Sequence, residues 1–253
     1  GDDFQENRES TIHRRLLRRL RVRAVQTFAE YGEVLDRDPG EYERLFDDLT
    51  INVTAFFRDE LAFRALAEIA LPMLLECKRE KKRIWSAGCA TGAEPYSIAM
   101  LLEEMGAGAE VELLATDLDS KALARARKGS FTAKEVVAVP PLWRDKYFTP
   151  IDSGFAVRPC LRKRVSFVQH NLASDLFYQQ RDLVVCRNVL IYFAVGLQQR
   201  VLQQVWDGLN EGGLLLLGRA ELPTQETKRL FESVDRYARL FSKTSSPGNG
   251  VSR

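Results

Sequence analysis

The sequence is poor in the residues that bind transition metals. It has four cysteines and two histidines among 253 residues, and no two cysteines form a Cys-x-x-Cys pair. The cysteines are Cys77, Cys89, Cys160 and Cys186. A zinc site needs about four such ligands at short spacings. The sequence therefore predicts no bound metal, and its scattered cysteines fit a reducing compartment.

Long apolar runs and a strong charge imbalance are also absent. No apolar stretch approaches the roughly 20 residues that span a membrane, and the first residues, GDDFQENRES, are polar and acidic, unlike a signal peptide. The formal net charge of +2 gives no overall attraction to nucleic acid. With 45% hydrophobic residues, the chain can bury a sizeable core. We expect a cytoplasmic globular protein without membrane insertion.

The first third of the chain is predicted to be helical. Residues 10–36 place apolar side chains at helical spacing and arginines on the opposite side, which predicts one amphipathic helix with a basic face. Further helical patterns run from Pro39 to Leu49 and through the residues after position 55, where Pro72 is expected to start a new helix. We therefore expect a small helical N-terminal domain, with its linker, over residues 1–75.

From Lys81 onwards, strand and helix patterns alternate, which predicts a parallel sheet covered by helices on both faces. The alternation fails over residues 130–164, which are rich in proline and aromatic residues and are expected to form a small inserted β subdomain. Residues 227–234 are predicted to be helical and residues 236–243 to form a terminal antiparallel strand. The predicted divisions are this α/β domain over residues 76–245 and a disordered tail over residues 246–253.

Residues 86–98, SAGCATGAEPYSI, form a glycine-rich turn after the first predicted strand. In an open parallel sheet, ligands bind at the carboxyl ends of the strands, near the point where strand order reverses. Gly88 and Gly92 allow a tight turn and let a ligand approach the backbone N–H groups. The alternative is that they only permit close packing of strand and helix. Dinucleotide enzymes, flavoproteins and S-adenosylmethionine (SAM) methyltransferases all contain such a turn.

Two carboxylates narrow this choice. Asp117 ends the next strand of the sheet, 29 positions after Gly88, where a carboxylate can accept hydrogen bonds from both hydroxyls of a ribose. Asp119 or Ser120 is better placed to cap the following helix. A P-loop needs Gly-Lys-Ser/Thr, but here Gly92 is followed by alanine and Glu94. Because a carboxylate repels phosphate and attracts cations, Glu94 favours the sulfonium and ammonium groups of SAM over a pyrophosphate.

Five segments, in order along the chain, carry a resemblance to a known family. They are LTINVTAFFRD (49–59), IWSAGCATGAEPYSIAM (84–100), LLATDLD (113–119), VSFVQHNL (165–172) and DLVVCRNVLIYF (182–193). Together they closely resemble the chemotaxis receptor methyltransferases of the CheR family, and the resemblance extends over roughly residues 12–242.

The resemblance implies a fold and an activity. The fold is α/β: a Rossmann-like SAM-dependent methyltransferase domain with a small inserted antiparallel β subdomain, preceded by a small all-helical N-terminal domain. The activity is transfer of a methyl group from SAM to glutamate side chains of chemoreceptors. The products would be glutamate methyl esters and S-adenosylhomocysteine (SAH), formed without a metal during the signal transduction of chemotaxis adaptation.

The resemblance also implies two kinds of site residue. Arg58 and Tyr192 are the predicted catalytic residues, whereas Glu94 would contact the methionine end of SAM and Asp117 its ribose. The full set of predicted cofactor contacts is Asn52, Thr54, Arg58, Gly88, Glu94, Asp117, Asn171 and Leu172 beside adenine, and Asn188 and Val189 beside the methyl group. From the residues alone, Thr54 could instead cap a helix, and Arg58 could be a surface ion-pair partner.

The expected partner is an acidic helical bundle, because the methylation helices of chemoreceptors carry many acidic residues. The basic face of the first helix is expected to dock them. Its members are Arg14, Arg15, Arg18, Arg19, Arg21 and Arg23. The family often has Gly-His-Ser-Glu after the late strand, whereas this chain has Gly-Arg-Ala-Glu over residues 218–221. The inserted lobe is shorter than in members that bind a receptor tether, so no tether binding is expected.

Two other functions remain open from the residues. The first is a SAM enzyme that acts on nucleic acid or a small molecule, although the arginine-rich helix lacks interleaved aromatics and an Asn-Pro-Pro-Tyr type of signature is absent. The second is a non-catalytic module that reports the level of SAM or SAH to a signalling partner. The presence of Arg58 and Tyr192 favours the enzyme.

Overall fold

The structure is a computed structural model that describes residues 3–49 and 54–245. The chain divides into two compact units, Gly1–Val53 and Thr54–Arg253. This division lies before the boundary expected near residue 75. The helical residues that follow position 59 belong to the second unit because Leu66 and Leu71 pack in its core. The tail expected over residues 246–253 lies outside the described residues.

Over residues 3–49, the first unit contains three helices: α1 (Asp3–Val22), α2 (Phe28–Arg37) and α3 (Pro39–Leu49). The single helix expected over residues 10–36 is therefore wrong. Glu30 N donates to Thr27 Oγ1 (3.2 Å), and Thr27 N donates to Glu30 Oε2 (3.2 Å). This reciprocal capping box starts α2, and its Thr-x-x-Glu pattern was readable in the sequence.

A buried ion pair joins α1 to α3 in the first unit. Glu41 is fully buried, and its Oε1 accepts hydrogen bonds from Arg19 Nη2 (2.6 Å), Arg19 Nε (2.9 Å) and the Tyr31 hydroxyl (2.8 Å). Burial raises the pKa of Glu41, but the hydrogen bonds from Arg19 and Tyr31 outweigh it and hold this pKa below its ordinary value. The Arg19 side chain is therefore buried inside the first unit.

The second unit alternates strands and helices, as the sequence predicted. Its strands are β1 (Lys82–Ala87), β2 (Val111–Asp117), β3 (Ser130–Phe131), β4 (Phe148–Ile151), β5 (Gly154–Val157), β6 (Val165–Gln169), β7 (Arg181–Cys186), β8 (Leu209–Leu217), β9 (Phe231–Asp235) and β10 (Leu240–Lys243). Its helices are α4 (Glu60–Ala65), α5 (Leu71–Glu76), α6 (Ala93–Glu104), α7 (Ser120–Lys128), α8 (Pro141–Tyr147), α9 (Pro159–Arg162) and α10 (Val195–Gly208). No helix in the described ranges is long and apolar enough to span a bilayer.

A π-helical turn, Leu66–Ala70, joins α4 directly to α5. Pro72 lies in the first turn of α5, as expected. Because α5 continues directly from the preceding turn, Pro72 has helical residues before it, where its ring and its missing N–H disrupt the regular α-helical hydrogen bonds. The π turn widens the helix at this point and ends at Ala70, shortly before Pro72.

Seven strands form the main sheet in the order β6-β2-β1-β7-β8-β10-β9. The first five are parallel, and β10 runs antiparallel to both of its neighbours. Successive side chains enter two separate hydrophobic clusters: Ile84 and Leu183 lie in one, and Trp85 and Val184 in the other. Because side chains alternate between the faces of a strand, both faces of the sheet are buried.

The inserted segment forms a second sheet, with the antiparallel order β3-β5-β4, as the sequence predicted. Phe56 is fully buried against it, with its ring centroid 4.8 Å from that of Phe131 and 5.3 Å from that of Phe148. Both contacts are edge-to-face, a favoured geometry for aromatic pairs. Phe56 is thus a core residue.

The helix expected over residues 227–234 is wrong. A short 3-10 turn, Lys228–Leu230, leads into β9, which pairs with β10. Apolar residues at positions 230, 231 and 234 fit helical spacing. As a strand, however, this segment forms backbone hydrogen bonds with the edge of β10 that would otherwise be unpaired. Of the antiparallel strand expected over residues 236–243, residues 240–243 form β10, and residues 236–239 form the turn before it.

Strand order reverses between β1 and β7. From β1 the sheet continues through β2 to β6 on one side and through β7 to β8 on the other. Ser86 of β1 lies opposite Val185 of β7, so the carboxyl ends of the two strands are adjacent. This is the position at which open α/β sheets bind ligands.

Candidate active site

The glycine-rich turn follows β1 at this reversal point. Gly88 and Gly92 have φ of 77° and 89°, a left-handed region that favours glycine. A Cβ on Gly88 would collide with Val189 Cγ2, and a Cβ on Gly92 would lie 2.9 Å from Ala126 Cβ. In the described structure these glycines allow Val189 and Ala126 to pack closely against the turn. Close packing was the alternative to ligand approach that the sequence left open.

Asp117 lies at the carboxyl end of β2, next to that turn. Its Oδ2 accepts from Ala90 N (2.7 Å) and its Oδ1 from Asp119 N (2.9 Å). Of the two candidates for the cap of α7, Asp119 and Ser120, it is Asp119 that accepts from Lys121 N (2.8 Å) and Ala122 N (3.1 Å). Burial raises the pKa of Asp117. A carboxylate offers about four acceptor positions, so Asp117 retains hydrogen-bonding capacity beyond these backbone donors.

Glu94 lies in the first turn of α6 and contacts two strand ends. Its Oε1 accepts from Ser86 Oγ (2.8 Å), and its Oε2 accepts from Arg187 Nη1 (3.1 Å). Burial raises the pKa of Glu94 above its ordinary value, against the opposing effects of Arg187 and Ser86. A further cation beside this carboxylate would lower its pKa again.

Arg187, which the sequence analysis did not single out, is the centre of this cluster. Its side chain is 3% exposed. Its Nη2 donates to Arg58 O (2.8 Å) and lies 3.5 Å from Asp59 Oδ2. Its Nε has no hydrogen-bond partner among the described residues. The sequence did contain a signal for Arg187, because it directly follows the apolar run of β7. An arginine at the end of a buried strand is expected to be buried itself, and a buried guanidinium needs an acidic partner.

The segment before α4 is strained at two positions. Phe57 and Asp59 are not glycines, yet their φ values are 52° and 74°. Phe57 N donates to Ser97 Oγ (3.1 Å), which anchors the segment to α6. Arg58 is exposed between them, and Thr54 is half-buried. Strain of this kind concentrates at functional sites. Asn52 lies outside the described residues.

The loop after β7 is held by Glu221, which is 3% exposed. Its Oε2 accepts from Asn188 N (2.8 Å) and Gly218 N (2.7 Å), and its Oε1 accepts from Ile191 N (3.2 Å). These bonds stabilise Asn188 at a φ of 60°. The glutamate of the Gly-Arg-Ala-Glu stretch therefore supports the loop, and Tyr192 in the same loop is 40% exposed.

Asn171 and Leu172 follow β6. Asn171 Oδ1 accepts from Ala173 N (2.9 Å), and Leu172 is 8% exposed within the core cluster of Trp85. His170 N donates to Asp117 O (3.0 Å), so the backbone just before Asn171 is tied to the end of β2. The structure thus brings the Asn171 loop to the same edge of the sheet as Asp117.

A cavity of about 410 Å³ opens beside Arg187. Its lining residues are Arg58, Asp59, Glu60, Leu61, Arg187, Asn188 and Arg219. Among the predicted site residues that lie in the described ranges, Arg58 and Asn188 line it, whereas Asp117, Asn171 and Leu172 do not. Within the described residues, no group of three or more His, Cys, Asp or Glu side chains could hold a metal.

Family models match both units. Residues 52–238 match the model described as "CheR methyltransferase, SAM binding domain", and residues 1–50 match "CheR methyltransferase, all-alpha domain". The chain belongs to the CheR methyltransferase family. It is a SAM-dependent methyltransferase with a SAM-binding second unit, and the fold class that the resemblance implied is confirmed.

Curated relatives cover most of this CheR family member. It is 34% identical to the chemotaxis protein methyltransferase of Listeria monocytogenes, over 87% of this chain and 84% of the relative. It is 37% identical to chemotaxis protein methyltransferase 2 of Pseudomonas aeruginosa, over 87% and 81%. It is 31% identical to chemotaxis protein methyltransferase 2 of Vibrio cholerae, over 99% and 92%.

The arginines predicted to form a basic face differ in their exposure to solvent. Arg14, Arg18 and Arg21 are exposed, and Arg15 is half-buried. Arg19 is 7% exposed and bound to Glu41, and the half-buried Arg23 is 3.2 Å from Asp38. The prediction that Arg19 belongs to a docking surface is corrected, because a guanidinium committed to a buried carboxylate is inaccessible to a partner.

Proposed function

We propose that this CheR methyltransferase transfers a methyl group from SAM to glutamate side chains of chemoreceptors in the cytoplasm, during chemotaxis adaptation. One observation carries the proposal: a buried, incompletely bonded Arg187–Glu94 pair adjoins a cavity that Arg58 also lines. This arrangement offers an acceptor carboxylate a cation and offers SAM a charged pair. The names of the relatives, chemotaxis protein methyltransferases, support the receptor as acceptor.

The SAM-binding contacts follow from charge and hydrogen-bonding capacity. Glu94 would bind the ammonium group and Arg187 the carboxylate of the methionine moiety, because the two side chains together present both signs of charge. Asp117 would accept the two ribose hydroxyls. Asn171 and Leu172 would flank adenine. The remaining proposed contacts are Asn52, Thr54, Arg58, Gly88, Asn188 and Val189.

The bound SAM supplies an electrophilic methyl group and leaves as SAH. The chain needs no general base, since a free glutamate has a pKa near ~4.3 and is an anion at neutral pH. Arg58 orients this carboxylate, and Tyr192 lines the path of the methyl group. The reaction joins an anion and a cation into neutral products, so exclusion of water from the cavity favours it. We propose no metal in this mechanism.

Receptor docking is assigned to the exposed Arg14, Arg18 and Arg21 and to the half-buried Arg15 and Arg23. A cluster of like charges attracts an acidic helical bundle and steers its approach. The partners proposed are therefore the cytoplasmic methylation helices of chemoreceptors. Nucleic acid is not a proposed partner, since the cluster lacks aromatic side chains for base stacking.

The test is transfer of labelled methyl from SAM to membranes that contain chemoreceptors encoded in the same genome. Mild alkali then releases methyl esters as volatile methanol. Released label is the expected result and identifies carboxyl methylation. Protein-bound label that survives alkali would indicate N-methylation and overturn the proposal. Absence of label with every receptor, despite measurable SAM binding, would favour the non-catalytic module.

A further inference from the structure

Two segments of the second unit are strongly basic. Residues 120–134 and 157–166 together contain nine lysines and arginines and no aspartate or glutamate. The formal net charge of the whole chain is only +2, so this imbalance is local. Whether the cations form one surface depends on how the two segments pack.

The two segments meet where α7 ends and α9 ends. Arg162 Nη1 donates to Lys128 O (3.4 Å), and Arg127 Nη2 donates to Phe167 O of β6 (2.9 Å). These contacts bring four exposed cations together on one surface, which we call the basic patch. Its members are Arg127, Lys128, Arg162 and Lys163.

Two acidic side chains beside the basic patch are bound to arginines outside it. Glu135 Oε2 lies 2.6 Å from Arg125 Nη2, and Glu103 Oε1 lies 2.9 Å from Arg164 Nε. No member of the basic patch forms an ion pair in the part of the chain that the structure describes. Like charges held close together repel one another, so a negatively charged surface would stabilise them.

The basic patch lies at the end of the sheet remote from the proposed SAM site. β6 begins at Val165, directly after the second segment's cations, and Arg164 Nη2 donates to Val111 O (3.3 Å) at the start of β2. Asp117 is the last residue of β2, which has seven residues and therefore spans about 20 Å. A large surface bound at the basic patch would leave the carboxyl ends of the strands facing away from it.

An anionic bilayer fits both the charge and the position of the basic patch. Surfaces of soluble proteins interleave charges of both signs, whereas a layer of anionic headgroups is negative throughout. Lysine ammonium groups on flexible stems adapt to such a layer as point charges. An enzyme that lies on a membrane through this patch would present its carboxyl ends to protein domains that project from the same membrane.

We propose that the basic patch docks this methyltransferase on the anionic phospholipid headgroups of a membrane. The docking is peripheral, because the cations contact headgroups and no segment enters the bilayer. The inference goes beyond the proposed function, and its test requires neither SAM nor a receptor. Each lysine or arginine near the anionic surface strengthens binding, and salt weakens it.

The experiment measures how the full chain partitions onto vesicles, by sedimentation. One set of vesicles is phosphatidylcholine, and the other is an equal mixture of phosphatidylcholine and phosphatidylglycerol. The protein should bind the mixed vesicles, less tightly at high salt, and leave the neutral vesicles unbound. The double variant Lys128→Gln with Lys163→Gln should lower the partition coefficient on mixed vesicles about 20- to 30-fold. Neither lysine side chain makes a hydrogen bond or ion pair within residues 3–49 and 54–245, so the fold should be retained.

A matched control makes the same change of charge elsewhere. Lys228→Gln with Arg229→Gln removes two exposed cations beside β9, which lies at the other side of the sheet from β6. This variant should bind mixed vesicles within about threefold of the unmodified protein, since its cations lie far from the docked surface.

Cys160 provides a direct readout of docking. It is exposed on α9, within the second basic segment, whereas Cys89 and Cys186 are buried. In a Cys77→Ser background, an environment-sensitive fluorophore on Cys160 should change its emission with mixed vesicles and not with neutral ones. An unchanged emission on mixed vesicles that carry bound protein would place the contact elsewhere and overturn the inference.

Other results would also overturn it. They are absence of binding to mixed vesicles, equal binding to both kinds of vesicle, or an equal loss of binding in the two double variants. Unchanged vesicle binding by Lys128→Gln with Lys163→Gln, together with weaker binding of RNA or of a soluble receptor fragment, would assign the basic patch to that polymer instead. A failure of the proposed methyl transfer leaves all of these measurements intact.

Discussion

Two buried arginine–glutamate pairs, one in each unit, differ in how completely they are bonded. In the first unit, Arg19 Nη2 lies 2.6 Å from Glu41 Oε1, and the same oxygen also accepts from Tyr31. In the second unit, Arg187 Nη1 lies 3.1 Å from Glu94 Oε2, and Arg187 Nε has no partner among the described residues. The pKa of Glu41 is lowered by its surroundings, whereas that of Glu94 is raised.

The difference separates a structural pair from a binding pair. A completed network in a low-dielectric interior stabilises one packing arrangement. An incomplete one retains unsatisfied hydrogen-bonding capacity, and perturbed carboxyl groups of this kind concentrate at functional sites. This contrast fits a structural role for Glu41 in the first unit and the role in SAM binding that we propose for Glu94 in the second.

The largest effect is expected from Glu41→Ala. It leaves Arg19 buried without its carboxylate, which should lower the free energy of unfolding by about 3–5 kcal/mol. Urea denaturation followed by circular dichroism measures the change. Glu33→Ala, which breaks the exposed Glu33–Arg37 pair, is the matched control and should have a small effect. Equal stability of the two variants would contradict the structural role of Glu41.

Glu94→Gln should weaken ligand binding more than it lowers the stability of the fold. Loss of the charge opposite the SAM ammonium should weaken SAH binding about 10- to 100-fold by calorimetry, because hydrogen bonds to charged groups contribute about 1.5–3 kcal/mol. Ser86→Ala removes one neutral donor to Glu94 and should weaken SAH binding about threefold or less. Undiminished SAH affinity in Glu94→Gln would remove Glu94 from the site.

The two carboxylates should also respond to acid in opposite directions. The folded-state pKa of Glu41 lies below its unfolded value, so its contribution to stability is present above that unfolded value and is lost as pH falls through the folded pKa. The folded-state pKa of Glu94 is raised, so its contribution is present at low pH and is lost as pH rises through the folded pKa. Unfolding between pH 7 and pH 3 should show opposite changes in slope in Glu41→Gln and Glu94→Gln.

The raised pKa of Glu94 also makes ligand binding depend on pH. The ammonium group requires the ionised carboxylate, so SAH affinity should fall as pH drops through this pKa, by about tenfold per unit below it. Calorimetry at several pH values measures the slope. Glu94→Gln should remove this dependence, and an unchanged slope would assign it to another group.

The smallest effect is expected from reversing two exposed charges of α1, Arg14→Glu with Arg18→Glu. The rate of receptor methylation should fall about threefold at low salt and less at high salt, because ions screen exposed charges. SAH affinity should stay unchanged. A loss that is independent of salt would argue against electrostatic docking by α1.

The sequence predicted the parts of the site that depend on local order along the chain. Asp117 at a strand end, Asp119 as a helix cap and Glu94 after the glycine turn follow from motif spacing. Arg187 was missed because its partner, Glu94, lies 93 residues away. The helix start at Thr27 carried a readable capping signal, which the uninterrupted apolar spacing of residues 10–36 obscured.

The sequence by itself determined the alternation of strands and helices and the family, since both depend on periodicity and on motifs of a few residues. Only the tertiary structure decided which charged groups are buried together. Arg19 and Arg18 are neighbours in one helix, yet the first is buried against Glu41 and the second is exposed. Burial depends on contacts between distant segments, and it changes the energy of a charge far more than its sequence neighbours do.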